Sequence, residues 1–338
     1  MTSMRVLATL CATLLGAPSV QAAEVNVYSG RGEAFLKPLF EVFTKETGIK
    51  VNLVSGKDDA LIERLKAEGA QSPADLLMTA DAGRLHRAKA AGVLQAIASP
   101  VLSAAIPAPY RDSDNQWFGL TMRARVIVYS PERVKPEELS TYEALADARW
   151  KGRLCMRSSD SIYNQSLTAA LIAHNGEKAT LAWAEGMVDN FARAPKGGDR
   201  DQIKAIAAGE CDVSLVNTYY LAGMQTAEET AERDAAASVR VFWPNQQERG
   251  AHVNISGGAV TASARHVDEA RKLLEFLVSD EAQRWYAEIN HEYPVKPGVA
   301  VSPTLRAMGE FKADALPLSR LGELNAQAVR LLDRAGWR

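Results

Sequence analysis

The sequence is poor in the residues that most often carry catalysis or bind soft metals. Of its 338 residues three are cysteine and five are histidine. None of the histidines stands at ligand spacing from another, and His174 falls on an expected helix, where a surface role fits it. There is no His-Glu-x-x-His, no nucleophile elbow and no other recognisable catalytic signature, which disfavours a hydrolase or transferase and points to a chain that is not an enzyme. Blocks of one charge are missing too. The 39 Lys and Arg and 41 Asp and Glu are mixed throughout, with a net charge of -2, so nothing offers a strip for nucleic acid or anionic lipid. Gly30-Arg31-Gly32 lacks the third glycine of a dinucleotide fingerprint, and no Gly-Lys-Ser/Thr follows it. A small ligand or a protein partner remains.

Long apolar runs are also scarce, and the one present comes first. Val6 to Gly16 follows a short start whose only charge is Arg5, and Val20-Gln21-Ala22 or Gln21-Ala22-Ala23 then supplies small residues for cleavage. This is the pattern of a secretory signal peptide, expected over residues 1–23 and too short for a membrane anchor. Cys11 lies inside the run, away from the cleavage point. The mature chain is expected to be exported, soluble and without membrane insertion. Its about 315 residues exceed what one core usually organises, which implies two domains. Two cysteines remain, Cys155 and Cys211, each at or beside an expected strand start. In an oxidising compartment such a pair reads as a disulfide before a metal site, two buried free thiols being the other reading.

The periodicity alternates between strand and helix. Val25–Tyr28, Ile49–Val54 and Ala74–Thr79 read as strands, separated by helices that begin near Phe35 and Asp58. This βαβαβ order predicts a parallel, doubly wound start. The loop Ser29–Glu33 places Arg31 at a strand's carboxyl end, where it suits an anion. Arg123-Ala124-Arg125 opens an apolar run to Tyr129 that reads as a crossover strand into a second lobe, and alternation puts Arg123 and Arg125 on one face. Further on come a strand at Gly152–Arg157, paired helices at 165–174 and 177–190, and a strand at Val239–Trp243. The stretch from Gly250 to Thr261 reads as a strand crossing back. Two α/β lobes joined by more than one crossing strand describe a clamshell that closes on a ligand.

The centre of this order is Asp212–Tyr220, a short β-branched run ending in Asn217-Thr218, a pair able to cap a helix, then Tyr219 and Tyr220. In an open α/β sheet the crevice lies beyond the carboxyl ends of strands. Neighbours in a first helical turn lie about 100° apart, so both phenols can converge on one ligand. Tyr163 sits at another expected strand-to-helix junction. A phenol titrates near ~10, and a bound cation of high charge can displace its proton. Oxygen-only donors favour a hard cation, Fe(III) first. Two aromatics serving only as core and surface filler is the other reading of the pair.

Taken together, Tyr28-Ser29-Gly30-Arg31, Ser72-Pro73-Ala74-Asp75, Arg123-Ala124-Arg125-Val126, Ile162-Tyr163-Asn164-Gln165, Asn217-Thr218-Tyr219-Tyr220, Asn254-Ile255-Ser256-Gly257 and Glu292-Tyr293-Pro294-Val295 resemble the periplasmic ferric-ion-binding proteins of ATP-driven iron importers. The resemblance spans essentially the whole mature chain. It implies a two-lobed α/β clamshell, each lobe a mixed, mostly parallel sheet flanked by helices, with a first lobe at 24–122 plus about 248–300 and a second at about 123–247 plus 301–338. It also implies Fe(III) ligation by Tyr163, Tyr219 and Tyr220, delivery to a membrane permease, and a monomer. Where many members carry a histidine after the loop arginine, this chain has Gly32 and Glu33. That resembles the subgroup whose ligands come mainly from the second lobe, with carbonate, another small anion or water filling the remaining positions. Glu33 is a further candidate ligand, equally read as a first-turn residue favoured by the helix dipole, and Asp81 is a weaker one. Arg31 and Arg123, with Arg125 in reserve, are the expected partners of the anion. The alternative keeps the clamshell and changes the ligand to a phosphonate, a polyamine or a thiamine-like solute stacked on the tyrosines.

Overall fold

The computed structural model describes residues 23–338, so the expected signal peptide, Ala23 apart, lies outside the described residues. The chain opens with β1 (Glu24–Ser29), α1 (Glu33–Thr47), β2 (Lys50–Ser55), α2 (Asp58–Glu68) and β3 (Leu76–Ala80), followed by α3 (Ala82–Ala90). α1 forms because Leu36, Leu39, Phe40 and Phe43 recur on one buried face. It stops at Gly48, which adopts a left-handed φ of 73° and returns its N–H to Thr44 O. β1 pairs in parallel with β2 on one side and β3 on the other. Strand alternation then sorts the side chains: Val25, Val27, Leu76 and Met78 face one core with α1, while Tyr28 and Leu77 face another with α2.

Two strands knit this half to the rest. β4 (Phe118–Tyr129) and β7 (Val253–Val260) are antiparallel neighbours, and β7 also pairs with β3. Beyond Ala124, β4 leaves β7 and pairs instead with β5 (Val213–Asn217) and β6 (Arg240–Phe242), both antiparallel. β8 (Tyr293–Pro294) adds a short antiparallel edge at Thr121 and Met122. Among the described strands, parallel ladders are therefore confined to β2-β1-β3, with only single parallel bridges elsewhere. The rest of the sheet is antiparallel because β4 and β7 run between the lobes in opposite directions.

In the second lobe the helix Ile162–Asp189 carries non-helical geometry at Gly176 (φ 79°, ψ 165°), which divides it where the sequence implied two helices. The expected strand at Gly152–Arg157 shrinks to single bridges from Leu154 to Val213 and Phe191. At the end of this segment side chains take the carbonyl: Arg157 O receives Asn164 Nδ2 at 3.0 Å and Trp337 Nε1 at 2.9 Å. Cys155 and Cys211 are both buried and joined by a disulfide with Cα atoms 5.8 Å apart. The bond ties this segment to the start of β5.

The bridge closes a loop with a sequence separation of 56. Replacing both cysteines by serine is expected to lower stability by about 4 kcal/mol on the chain-entropy model. Denaturant midpoints of the oxidised protein and the double variant, at equal m-values, measure it.

Candidate metal centre

β5 is buried along its whole length and ends at Asn217, and a helix runs from Thr218 to Gln225. The sequence implied that Asn217 or Thr218 would cap this helix with its side chain. Asn217 does occupy the cap position, with extended backbone, but makes no side-chain cap bond. Its Oδ1 accepts from Arg125 Nη1 at 3.3 Å, and its N–H goes to Asp199 Oδ2 at 2.7 Å. A buried guanidinium has outcompeted the helix amides for that oxygen.

Tyr219 and Tyr220 follow in the first turn, with ring centroids 4.3 Å apart and planes inclined by 38°. Tyr163, in the first turn of the helix that begins at Ile162, accepts a hydrogen bond from Tyr219 Oη at 3.0 Å. All three rings are half-buried and line one cavity of about 490 Å³. Its opposite wall comes from the loop after β1, Phe35 of α1, Asp58 at the start of α2, Ala80 at the end of β3, and Ser256 with residues 290–292. Burial pushes the Tyr163 phenol well up, the charge of Tyr220 adds to that, and Arg123 opposes it. Tyr219 is also pushed well up, by burial first and then by Tyr163 and Tyr220, with Arg123 again opposing. Among the described residues no group of three or more His, Cys, Asp or Glu is placed to hold a metal.

The arginines divide differently from expectation. Arg123 and Arg125 do share a face of β4, with guanidinium carbons 5.8 and 6.0 Å from the Tyr163 ring centre, and Arg157 stands at 5.1 Å. Neither Arg123 nor Arg125 reaches the cavity wall. Arg125 is consumed internally, by Asp199 and Asn217 through Nη1 and by Asn164 Oδ1 at 2.8 Å through Nη2. Arg123 is buried, its nearest carboxylate oxygen is Asp81 Oδ2 at 3.9 Å, and both Nη atoms lack a hydrogen-bond partner among the described residues. Arg31 lines the cavity, but its fork is closed by Glu292 at 3.1 and 2.6 Å, with Ser256 Oγ at 2.5 Å.

Glu33 does not join the tyrosines. It heads α1 exposed, accepts Ser55 Oγ at 3.4 Å and lines a separate surface groove with Lys37 and Phe40. Phe35 does line the cavity. Two residues along a helix is about 200° around its axis, so Glu33 is turned away. Asp81 is also spent elsewhere: it caps α3 through Gly83 N at 2.9 Å and accepts Ser166 Oγ at 2.7 Å and Asn254 Nδ2 at 2.9 Å. The cavity gains residues that the sequence reading passed over, chiefly Asp58, Arg200, His291 and the Glu292 carboxylate. His291 Nε2 lies 3.0 Å from Thr226 Oγ1 and so joins the two walls. For Asp58 a signal existed: it opens α2 just beyond the carboxyl end of β2, where crevice residues collect.

Comparison with known proteins agrees with this architecture. The chain is 50% identical over 93% of its length to Iron uptake protein A1 of Synechocystis sp., covering 88% of that protein. A solved structure of Trichodesmium FutA (IdiA) in complex with iron and citrate ligands superposes with a TM-score of 0.91 at 51% identity, over 94% of this chain and 100% of that one. The apo structure of FutA2 from Synechocystis gives 0.89 at 45% identity, over 94% and 100%. The sequence model of the bacterial extracellular solute-binding proteins matches residues 71–312. With an interlobe cavity beyond its strand ends and a match over most of its length, the chain belongs to the bacterial extracellular solute-binding protein family.

Proposed function

We propose that this protein carries Fe(III) as cargo in the periplasm, without catalysing a reaction. The ion would be held by the phenolate oxygens of Tyr163, Tyr219 and Tyr220, with carbonate or another small anion completing its shell. The loaded, closed form would then deliver it to the permease of an ATP-driven importer. The names of the relatives support the ion, since one is an iron uptake protein and another was solved with iron and citrate. The observation that carries the ligand assignment is the 3.0 Å contact between Tyr219 Oη and Tyr163 Oη, with the Tyr220 ring against Tyr219 on the same cavity. Three phenolates balance the charge of the ion and supply three hard oxygens. Arg123, behind the phenol layer with no close carboxylate, favours their charged form. Arg31 keeps Nε and one hydrogen of Nη2 unpartnered after its contacts with Glu292 and Ser256, which leaves it two donors for the anion. The reading takes the protein as a monomer of two lobes, 24–122 plus about 248–300 and about 123–247 plus 301–338, after loss of residues 1–23.

Tyr219→Phe combined with Tyr220→Phe is expected to abolish the visible phenolate-to-iron charge-transfer band and to weaken ferric binding by at least about 100-fold. A double variant that colours and binds like the parent would refute the assignment. Because burial raises Tyr163 and Tyr219, both hold their protons at neutral pH until the ion displaces them. Loading should therefore release at least two protons, and affinity should fall as pH falls. Calorimetry in buffers of different ionisation enthalpy counts them, and a count below two would contradict the model.

The same shifts set an alkaline limit on the metal-free fold. A phenol whose folded pKa lies above its unfolded value contributes stability below pH ~10 that is lost as pH rises through the folded pKa. Tyr219→Phe should flatten that loss, as measured by thermal midpoints across the alkaline range.

A further inference from the structure

The geometry points to Asp58 as a fourth protein ligand to the cargo ion, a carboxylate supplied by the wall opposite the tyrosines; this rests on the tyrosinate reading above. Three phenol oxygens leave a hard ion short of donors, and the open side of the site faces the loop after β1, the start of α2 and the end of β3. Two carboxylates line that wall, Asp58 and Glu292. Glu292 is committed: its oxygens accept from Arg31 at 3.1 and 2.6 Å and from Ser256 Oγ at 3.1 Å, and its side chain is 2% exposed.

Asp58 is held far more loosely. Its Oδ2 has one contact with Arg84 Nη1 at 3.3 Å, and Oδ1 accepts the Ala80 N–H at 3.4 Å. Arg84 spends its better geometry on Asp59, with Nε and Nη2 at 3.0 and 2.8 Å. The Asp58 carboxylate lies directly over Gly30, where any Cβ would occupy the space of the carboxyl group. A side chain larger than hydrogen at position 30 would thus evict it from the loop that faces the phenols. On the same wall Asn290 is 7% exposed, and neither of its amide atoms has a partner among the described residues. This donor and acceptor pair suits a water or small oxyanion on the ion's remaining face.

A carboxylate binding through one or both oxygens would raise the protein's donor count to four or five. It would also link the two walls through the ion, so that capture draws the lobes together. With four anionic ligands around a trivalent ion, the external ligand need supply little charge. Among the small anions proposed above, a monoanion then suits the site better than carbonate, and a water can take its place.

The test uses the mature protein loaded with ferric iron from its nitrilotriacetate complex, comparing the parent with Asp58→Asn, Asp58→Ala and Arg84→Gln. Both Asp58 variants should keep a phenolate-to-iron band, displaced to longer wavelength by loss of a hard donor. They should also release iron to a competing chelator about 100-fold faster. Arg84→Gln should retain the parent's band position and release rate, because it frees the carboxylate without removing it. Asp58 variants with the parent's band and release rate would overturn the inference and leave the tyrosinate reading standing. Arg84→Gln reproducing the Asp58 phenotype would reduce Asp58 to a partner of Arg84 and overturn it as well. A parent protein that loads iron without any phenolate band would overturn both readings.

Discussion

The arrangement of the site depends on one buried carboxylate, Asp199. It is fully buried and accepts from Arg125 Nη1 at 3.3 Å, Arg157 Nη1 at 3.0 Å and the backbone N–H of Asn217 at 2.7 Å. Through Asn217 it fixes the point at which β5 ends and the helix carrying Tyr219 and Tyr220 begins. Through Arg125, whose other nitrogen holds Asn164, it fixes the first turn of the helix that presents Tyr163. Removing these charges from water costs several kcal/mol per ion, and a buried pair offsets that cost only with near-complete hydrogen bonding. Here the bonding comes from three chain segments at once. The Tyr163 and Tyr219 oxygens therefore meet at a position set by charge pairing beneath them.

The same pairing gives the site its electrostatic character. Arg31 is neutralised by Glu292, and Arg125 and Arg157 share Asp199, which leaves Arg123 as the guanidinium near the rings without a carboxylate inside 3.5 Å. A buried phenol resists ionisation and a nearby cation favours it, so Arg123 moderates the protonation that burial imposes. On the proposed reading a trivalent ion would supply the larger push, and a site protonated without the ion and anionic with it would couple capture to proton release.

Much of this was legible in the chain. Local patterns gave β1 to β3 with their helices, the break at Gly176 and the strand-to-helix junction at Tyr219, because each depends on residues close in sequence. The common face of Arg123 and Arg125 followed from strand alternation alone. What escaped was partner choice across distance. Nothing near Arg31 announces Glu292, 261 positions away, and nothing near Asn217 shows that Arg125 takes its side-chain oxygen in place of the helix amides. Glu33 looked suitable because it follows the loop arginine, yet the rotation of α1 carries it to another face. Asp58 was overlooked because a carboxylate opening a helix is ordinary, and only the bare Cα of Gly30 gives it a place in the cavity.

The crossing strand explains why closure and chemistry belong to one element. β4 pairs with β7 up to Ala124 and with β5 from Arg125 onward, so the change of partners falls between the two arginines that underlie Tyr163. A rotation of one lobe against the other would bear on this point, where Asp81, just past the end of β3, accepts from Ser166 on the helix that carries Tyr163. Asp81 holds a left-handed φ of 83°, uncommon for a residue with a side chain, and that backbone is maintained by three hydrogen bonds to its carboxylate. Asp81 lies 3.9 Å from Arg123, whose guanidinium carbon is 5.8 Å from the Tyr163 ring centre, so movement at this point would change the field at the phenols. On the proposed reading, opening would shift Arg123 and Asp81 relative to Tyr163, so lobe separation and loss of phenolate stabilisation would proceed together.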